Sequence, residues 1–159
     1  MEAAEDLSLR LRPSILDDLG IEKAFQWHLD RFSKQTGIQI ISSIHLEKGK
    51  RYPGDIEITL YRAMEESLTN AVRHGNPTEI EVKVKELYQT LYMSISDNGS
   101  GFDILESRQD TYNHSGITGL RERFQILCGT YDIQSTIGEG TTVEVSLPTV
   151  NKLQELKND

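Results

Sequence analysis

IEVKVKELYQTLYMSISD (residues 80–97) alternates apolar and polar side chains through two short runs. Ile80, Val82 and Val84 share one parity, Leu91, Met93 and Ile95 share another, and a turn lies between them. The stretch therefore predicts two adjacent strands, each with one face to bury. A lone two-stranded ribbon is marginal in water, so a second layer must cover that face. The residues just upstream supply it. Over 55–74, Tyr61, Met64, Leu68, Ala71 and Val72 fall on one side of a helical wheel, and Glu66, Asn70, Arg73 and His74 fall on the other. Gly75-Asn76-Pro77 stops that helix.

Further out the same two periods recur. Ile21, Ala24, Phe25, Leu29 and Phe32 have helical spacing that ends at Gly37, and Ile38, Ile40, Ile44 and Leu46 then share a strand parity. Gly49 to Gly54 reads as a loop. Leu120, Phe124 and Leu127 predict a helix closed by Gly129, followed by strands near 131–136 and 142–147. Between Asp97 and Gly116 no pattern holds, and a polar connection of that length is usually a lid or a binding loop. The order predicts an α+β fold: a two-layer α/β sandwich, one mixed sheet of about five strands with three main helices on one face. Strict βαβ alternation is absent, which argues against a doubly wound nucleotide fold.

The chain has 159 residues, 36% hydrophobic and 26% charged, and so suffices for one domain with one core. A net charge of -8 argues against nucleic-acid partners and anionic membranes, which require a basic patch. The single cysteine, Cys128, excludes an intrachain disulfide and a cysteine metal cluster, and points to a reducing, cytoplasmic setting. No apolar run approaches the roughly 20 residues of a membrane span, so no membrane contact is expected of this segment, and any anchor of a parent protein lies outside it.

Three places suggest chemistry. Glu66 and Asn70 stand at i, i+4 and are neighbours on the helix surface. An amide oxygen beside a carboxylate suits Mg²⁺, which takes few protein ligands and keeps substrate phosphates and water; a solvated polar face fits the same residues. Asp97 continues the parity of Leu91, Met93 and Ile95, so it should face the core side, where a carboxylate requires a partner. It fits either a turn cap for Asn98-Gly99 or an acceptor for a ligand amine. Gly116-Ile117-Thr118-Gly119-Leu120 sits before a helix start, where exposed amides favour phosphate, although a plain loop-to-helix turn fits equally. Gly138-Glu139-Gly140-Thr141-Thr142 reads as a hairpin turn with Thr141 on the inward parity.

In this order the four elements resemble the GHKL family of ATPases and kinases, most closely the catalytic and ATP-binding domain of bacterial sensor histidine kinases, over about residues 10 to 150. Glu66 to His74 resembles the N box, Asp97 to Phe102 the first glycine box, Gly116 to Leu120 the second, and Gly138 to Thr142 the final glycine-threonine segment. Leu11-Arg12-Pro13-Ser14-Ile15-Leu16-Asp17-Asp18-Leu19-Gly20-Ile21 is similar to the junction after the dimerisation helices in the subfamily that signals to LuxR-type response regulators. The resemblance implies the Bergerat fold, with residues 1–20 as the end of a dimerisation helix and linker, 21–150 as the catalytic domain and 151–159 as a tail. It implies ATP and Mg²⁺ as cofactors, Asn70 as the metal ligand and Glu66 as the group that polarises the attacking imidazole. Asp97 would accept from adenine N6, with Gly99, Gly101 and Thr141 around the base. Arg73, His74, Gly116, Gly119 and Leu120 would face the phosphates, and Asp103 to Ser115 would form the lid, with His114 in solvent.

The expected reaction is phosphoryl transfer to a histidine. None of His28, His45, His74 or His114 is followed by an acidic residue as the family's acceptor is, so the acceptor is expected on a dimerisation domain outside this chain, with a response regulator as the next partner. The chain then reads as a piece of a longer kinase. A free-standing GHKL serine kinase of the anti-sigma-factor type and a non-catalytic nucleotide-gated interaction module are the alternatives.

Overall fold

The computed structural model describes residues 13–107 and 115–150. Five strands form one sheet: β1 (Gln39–His45), β2 (Glu79–Leu87), β3 (Thr90–Asp97), β4 (Thr130–Thr136) and β5 (Gly140–Pro148), in the order β1-β2-β3-β5-β4. β1 and β2 are parallel and the other neighbours antiparallel, so the sheet is mixed as expected. The alternation that predicted β2 and β3 is realised residue for residue: Ile80, Val82, Val84, Leu91, Met93 and Ile95 are all buried. Their connection is a two-residue turn at Tyr88 and Gln89, both with positive φ, the sign that the tightest hairpins demand.

The inward face is covered by α1 (Ser14–Thr36), α2 (Gly54–Asn70) and α4 (Ser115–Ile126), and α3 (Ile104–Ser107) is a single turn. Phe25 of α1, Tyr61 and Met64 of α2 and Phe124 of α4 are fully enclosed with the strand residues in one core. Gly37 ends α1 in the left-handed conformation, its amide donating to the Ser33 carbonyl at 2.9 Å.

Three details depart from the sequence reading. α1 begins at Ser14, seven residues before Ile21, and bends at Gly20, while Leu16 ahead of the bend is fully buried. α2 ends at Asn70, and residues Ala71–Gly75 form a π turn. That wider turn holds an extra residue, so a wheel built on 3.6 residues misplaces the side chains after Asn70: Val72, expected in the core, is 43% exposed. α4 starts at Ser115, so Gly116, Gly119 and Leu120 lie inside the helix rather than before it.

Candidate functional site

A cavity of about 270 Å³ opens between the end of α2 and the sheet, close to the lower limit for small-molecule sites. Ser67, Asn70, Ala71, His74 and Gly75 line one wall, Ile95, Asp97, Thr141 and Val143 the sheet side, Tyr131 and Ile133 the β4 side, and Gly101, Phe102 and Ile117 the rim. The π turn contributes Ala71, His74 and Gly75, and the loop after β3 is tied to it: Ser100 donates its amide to the Gly75 carbonyl at 2.8 Å and its hydroxyl to the His74 carbonyl at 3.1 Å. An interruption of the helix thus becomes a wall of the cavity.

Asp97 ends β3 on the core side, as its parity predicts, and the cavity is what it faces. Its Oδ1 accepts the Gly99 amide at 2.8 Å, the turn-capping role, and the Thr141 amide nearby also favours the charged form. A carboxylate has about four acceptor positions, so two amides leave capacity for a ligand donor. Burial raises its pKa above the ordinary aspartate value, against the pull of those two amides, and among the described residues no cation is paired with it. Both sequence readings of Asp97 are therefore compatible in one residue. Asn98 turns away and is structural: its side-chain oxygen accepts the amides of Thr78 and Glu79 at 2.9 and 3.0 Å.

Gly99 and Gly101 are required by packing of the chain. A Cβ on Gly99 would stand 2.6 Å from the Gly75 carbonyl oxygen, and Gly101, at φ +64, would drive a Cβ into the Thr136 carbonyl. Thr141 is half-buried, and its hydroxyl lies 2.8 Å from that of Ser135, which also accepts the Phe102 amide at 2.9 Å. Ser135 joins the loop to the hairpin, and nothing in its sequence context marks it out.

At the other end, the Asn70 amide nitrogen donates to Glu66 Oε1 at 3.3 Å, which leaves the Asn70 carbonyl oxygen as an acceptor. Asn70 lines the cavity, whereas Glu66 is half-buried beside it and outside its lining. Among the described residues no group of three His, Cys, Asp or Glu is placed to hold a metal. His74 lines the cavity and is exposed, while Arg73 is exposed and outside the lining. In α4 the amides that a helix start leaves free are those of residues 115–117, and those of Gly119 and Leu120 fall in the hydrogen-bonded second turn. His114 and the middle of the expected lid lie outside the described residues.

Sequence reasoning missed Tyr131 and Ser67. Burial pushes the Tyr131 phenol up to about 12, reinforced by the Glu66 charge and opposed by Arg121 and by the nearby Ser67 hydroxyl. The signal was available: Tyr131 and Ile133 share the inward parity of β4, beside the edge of α2 that Ser67 occupies.

Comparison with known proteins adds three findings. A family model for histidine kinase-, DNA gyrase B- and HSP90-like ATPases matches residues 55–151. The signal transduction histidine-protein kinase/phosphatase DegS of Brevibacillus brevis is 34% identical over 138 residues, which cover 87% of this chain and 35% of that protein, so the chain spans about a third of its relative's length. The histidine kinase domain of the Erythrobacter litoralis EL346 blue-light activated histidine kinase superposes with a TM-score of 0.61 at 17% identity, covering 76% of this chain and 57% of that one. A second structure of that kinase gives 0.55 at 16% identity over 79% and 42%. These two likenesses establish a shared fold.

Proposed function

From the premise that the chain belongs to the histidine kinase-, DNA gyrase B- and HSP90-like ATPase family, we propose that the cavity takes the adenine end of Mg-ATP and that Asp97 is its recognition residue. The chain is the ATP-binding catalytic domain of a sensor histidine kinase. One observation carries the base assignment. Asp97 is a half-buried carboxylate with a backbone amide donor, no paired cation among the described residues, and acceptor capacity facing a cavity whose surface is mostly apolar. An exocyclic amine supplies the missing donor, and Ile95, Ile117, Ile133 and Val143 offer the apolar surface a planar base needs. Thr141 stands beside Asp97 in the sheet register and reaches the same ligand edge.

Asn70 and His74, together with the start of α4, where the free amides of residues 115–117 favour negative charge, would hold the phosphates. Asn70 offers Mg²⁺ one carbonyl oxygen, in keeping with a cation that takes its remaining ligands from phosphate and water. ATP supplies the transferable γ-phosphoryl group. Glu66 orients the acceptor imidazole and draws its proton, and the domain's share of catalysis is positioning and charge neutralisation.

The acceptor belongs to a dimerisation domain outside this chain, and the next partner is a response regulator, of the LuxR type by the resemblance of the Leu11 to Ile21 junction. His28 and His45 have local roles instead: His28 Nδ1 lies 3.0 Å from the Tyr61 hydroxyl, and His45 lies 2.8 Å from that of Ser43. The test is calorimetry with Mg-ADP on wild type, Asp97→Asn and Asn70→Asp. The expected result is near-abolition by Asp97→Asn and altered metal dependence with Asn70→Asp. Unchanged affinity in both variants overturns the assignment.

A further inference from the structure

The chain enters this domain through residues 13–20, and the way it is held there is specific. Pro13 opens a short helical stretch whose Leu16 reaches the core. Gly20 then breaks the helix at φ 79, ψ 179, a conformation that side chains disfavour. Carbonyls just before such a break lose their helical partners. Arg51 takes their place. Its guanidinium donates from one terminal nitrogen to the Asp17 carbonyl at 3.0 Å and from the other to the Leu16 carbonyl at 3.2 Å.

The opposite edge of the same guanidinium grips Glu57, through Nε to Oε1 at 3.0 Å and a terminal nitrogen to Oε2 at 3.1 Å. Glu57 is fully enclosed in the first turn of α2 and also accepts the Tyr52 amide at 3.0 Å. One planar fork therefore bridges the incoming chain and α2, the helix that brings Ser67 and Asn70 to the cavity roughly 15 to 20 Å further along its axis. Gly20 belongs to the same arrangement: a Cβ there would stand 2.9 Å from Arg51 Cδ and 3.2 Å from Nε.

We propose that Arg51 is a positioning residue, a latch on Glu57 that fixes the direction in which the chain ahead of Gly20 joins the nucleotide-binding body, with Gly20 as the hinge that its release frees. The segment held in this way is residues 13–19, docked by its carbonyl end. The latch is independent of the nucleotide assignment, because it is tested without nucleotide. Lys at position 51 keeps a cation beside Glu57 but has no planar fork to span the carboxylate and two carbonyls together.

The experiment is amide hydrogen exchange on the whole chain, comparing wild type with Arg51→Lys and Gly20→Ala. The latter leaves Arg51 and Glu57 in place but denies the guanidinium its seat. The expected result in both variants is exchange of the amides of residues 16–21 about tenfold faster, with β3 and β5 unchanged. Unchanged exchange over 16–21 in both variants overturns the latch. So does exchange that rises over 16–21 and the central strands to the same extent, which is the mark of a purely structural ion pair.

Discussion

Glu57 and Asp97 are both carboxylates on the core side of the fold, at opposite ends of the layer between α2 and the sheet, and their surroundings differ in kind. Glu57 is fully enclosed, with a guanidinium across both oxygens and a backbone amide on one of them. Asp97 is only half-buried, yet its donors are amides alone and burial raises its pKa. A buried charge that serves architecture is balanced inside the fold, because an unbalanced one is costly. A charge that serves a ligand is left with unused acceptor capacity, and the fold bears that cost until the ligand arrives. Conservative amides at the two positions should therefore fail in opposite ways.

The largest effect expected is on ligand affinity. Asp97→Asn presents an N–H donor where the amine of the base presents another, and should weaken Mg-ADP binding about a hundredfold or more by calorimetry. Its unfolding free energy should stay at the wild-type value or rise slightly, because the exchange removes a desolvated charge without a cation partner among the described residues. Glu57→Gln should invert the pattern. Removing the charge from an enclosed acid that holds Arg51 should cost about 2 kcal/mol in urea unfolding, with Mg-ADP affinity within about twofold of wild type. If both variants lose stability, or both lose only affinity, the contrast between the carboxylates fails.

A smaller effect separates the two walls of the cavity. Tyr131→Phe removes a buried phenol hydroxyl beside Ser67 and should cost about 1 kcal/mol of stability by thermal or urea unfolding. Ser67→Ala should cost no more, since the one proton of its hydroxyl goes to the Ala63 carbonyl at 2.7 Å within α2. Unfolding of the double variant checks the pair: contact between the two side chains makes the two losses less than additive.

How much of this could be read from the residues depends on the range of each interaction. β2 and β3 were legible because alternation is local and repeated, and Asp97 was legible because it extends that alternation by one step. Glu66 and Asn70 came with the same helix, four residues apart and in contact. The π turn was not legible: a change of period confined to five residues produces no pattern of its own, so Val72 reads as core and Gly75 only as a stop. The start of α4 at Ser115 was hidden because Ile117 alone extends the apolar spacing before Leu120, between two glycines that read as a loop. Arg51 and Glu57 were invisible for a further reason. A charged residue in a loop and one in the first turn of a helix each look solvated, and only the fold brings the Leu16 and Asp17 carbonyls to the same guanidinium.

The smallest and most selective test is the pH dependence of Asp97. Its pKa is raised in the folded chain, so over the window between the ordinary aspartate value and the raised one the native state holds the proton that the unfolded state has released. Stability must then fall as pH rises through that window, since it rises with pH only where the unfolded state binds more protons. Nucleotide affinity should move the other way. The amine of the base requires an ionised acceptor, so affinity should be full above the raised pKa and lost as pH falls through it, at a higher pH than an ordinary aspartate would set. Titration with a fluorescent nucleotide from about pH 7 to pH 4 reads this directly, with unfolding at each pH to confirm that the protein remains native. Glu57→Gln should keep the same pH midpoint for binding, because its carboxylate is remote from the cavity. A midpoint that moves with Glu57 would place the titrating group at the latch, and would remove Asp97 from its role at the base.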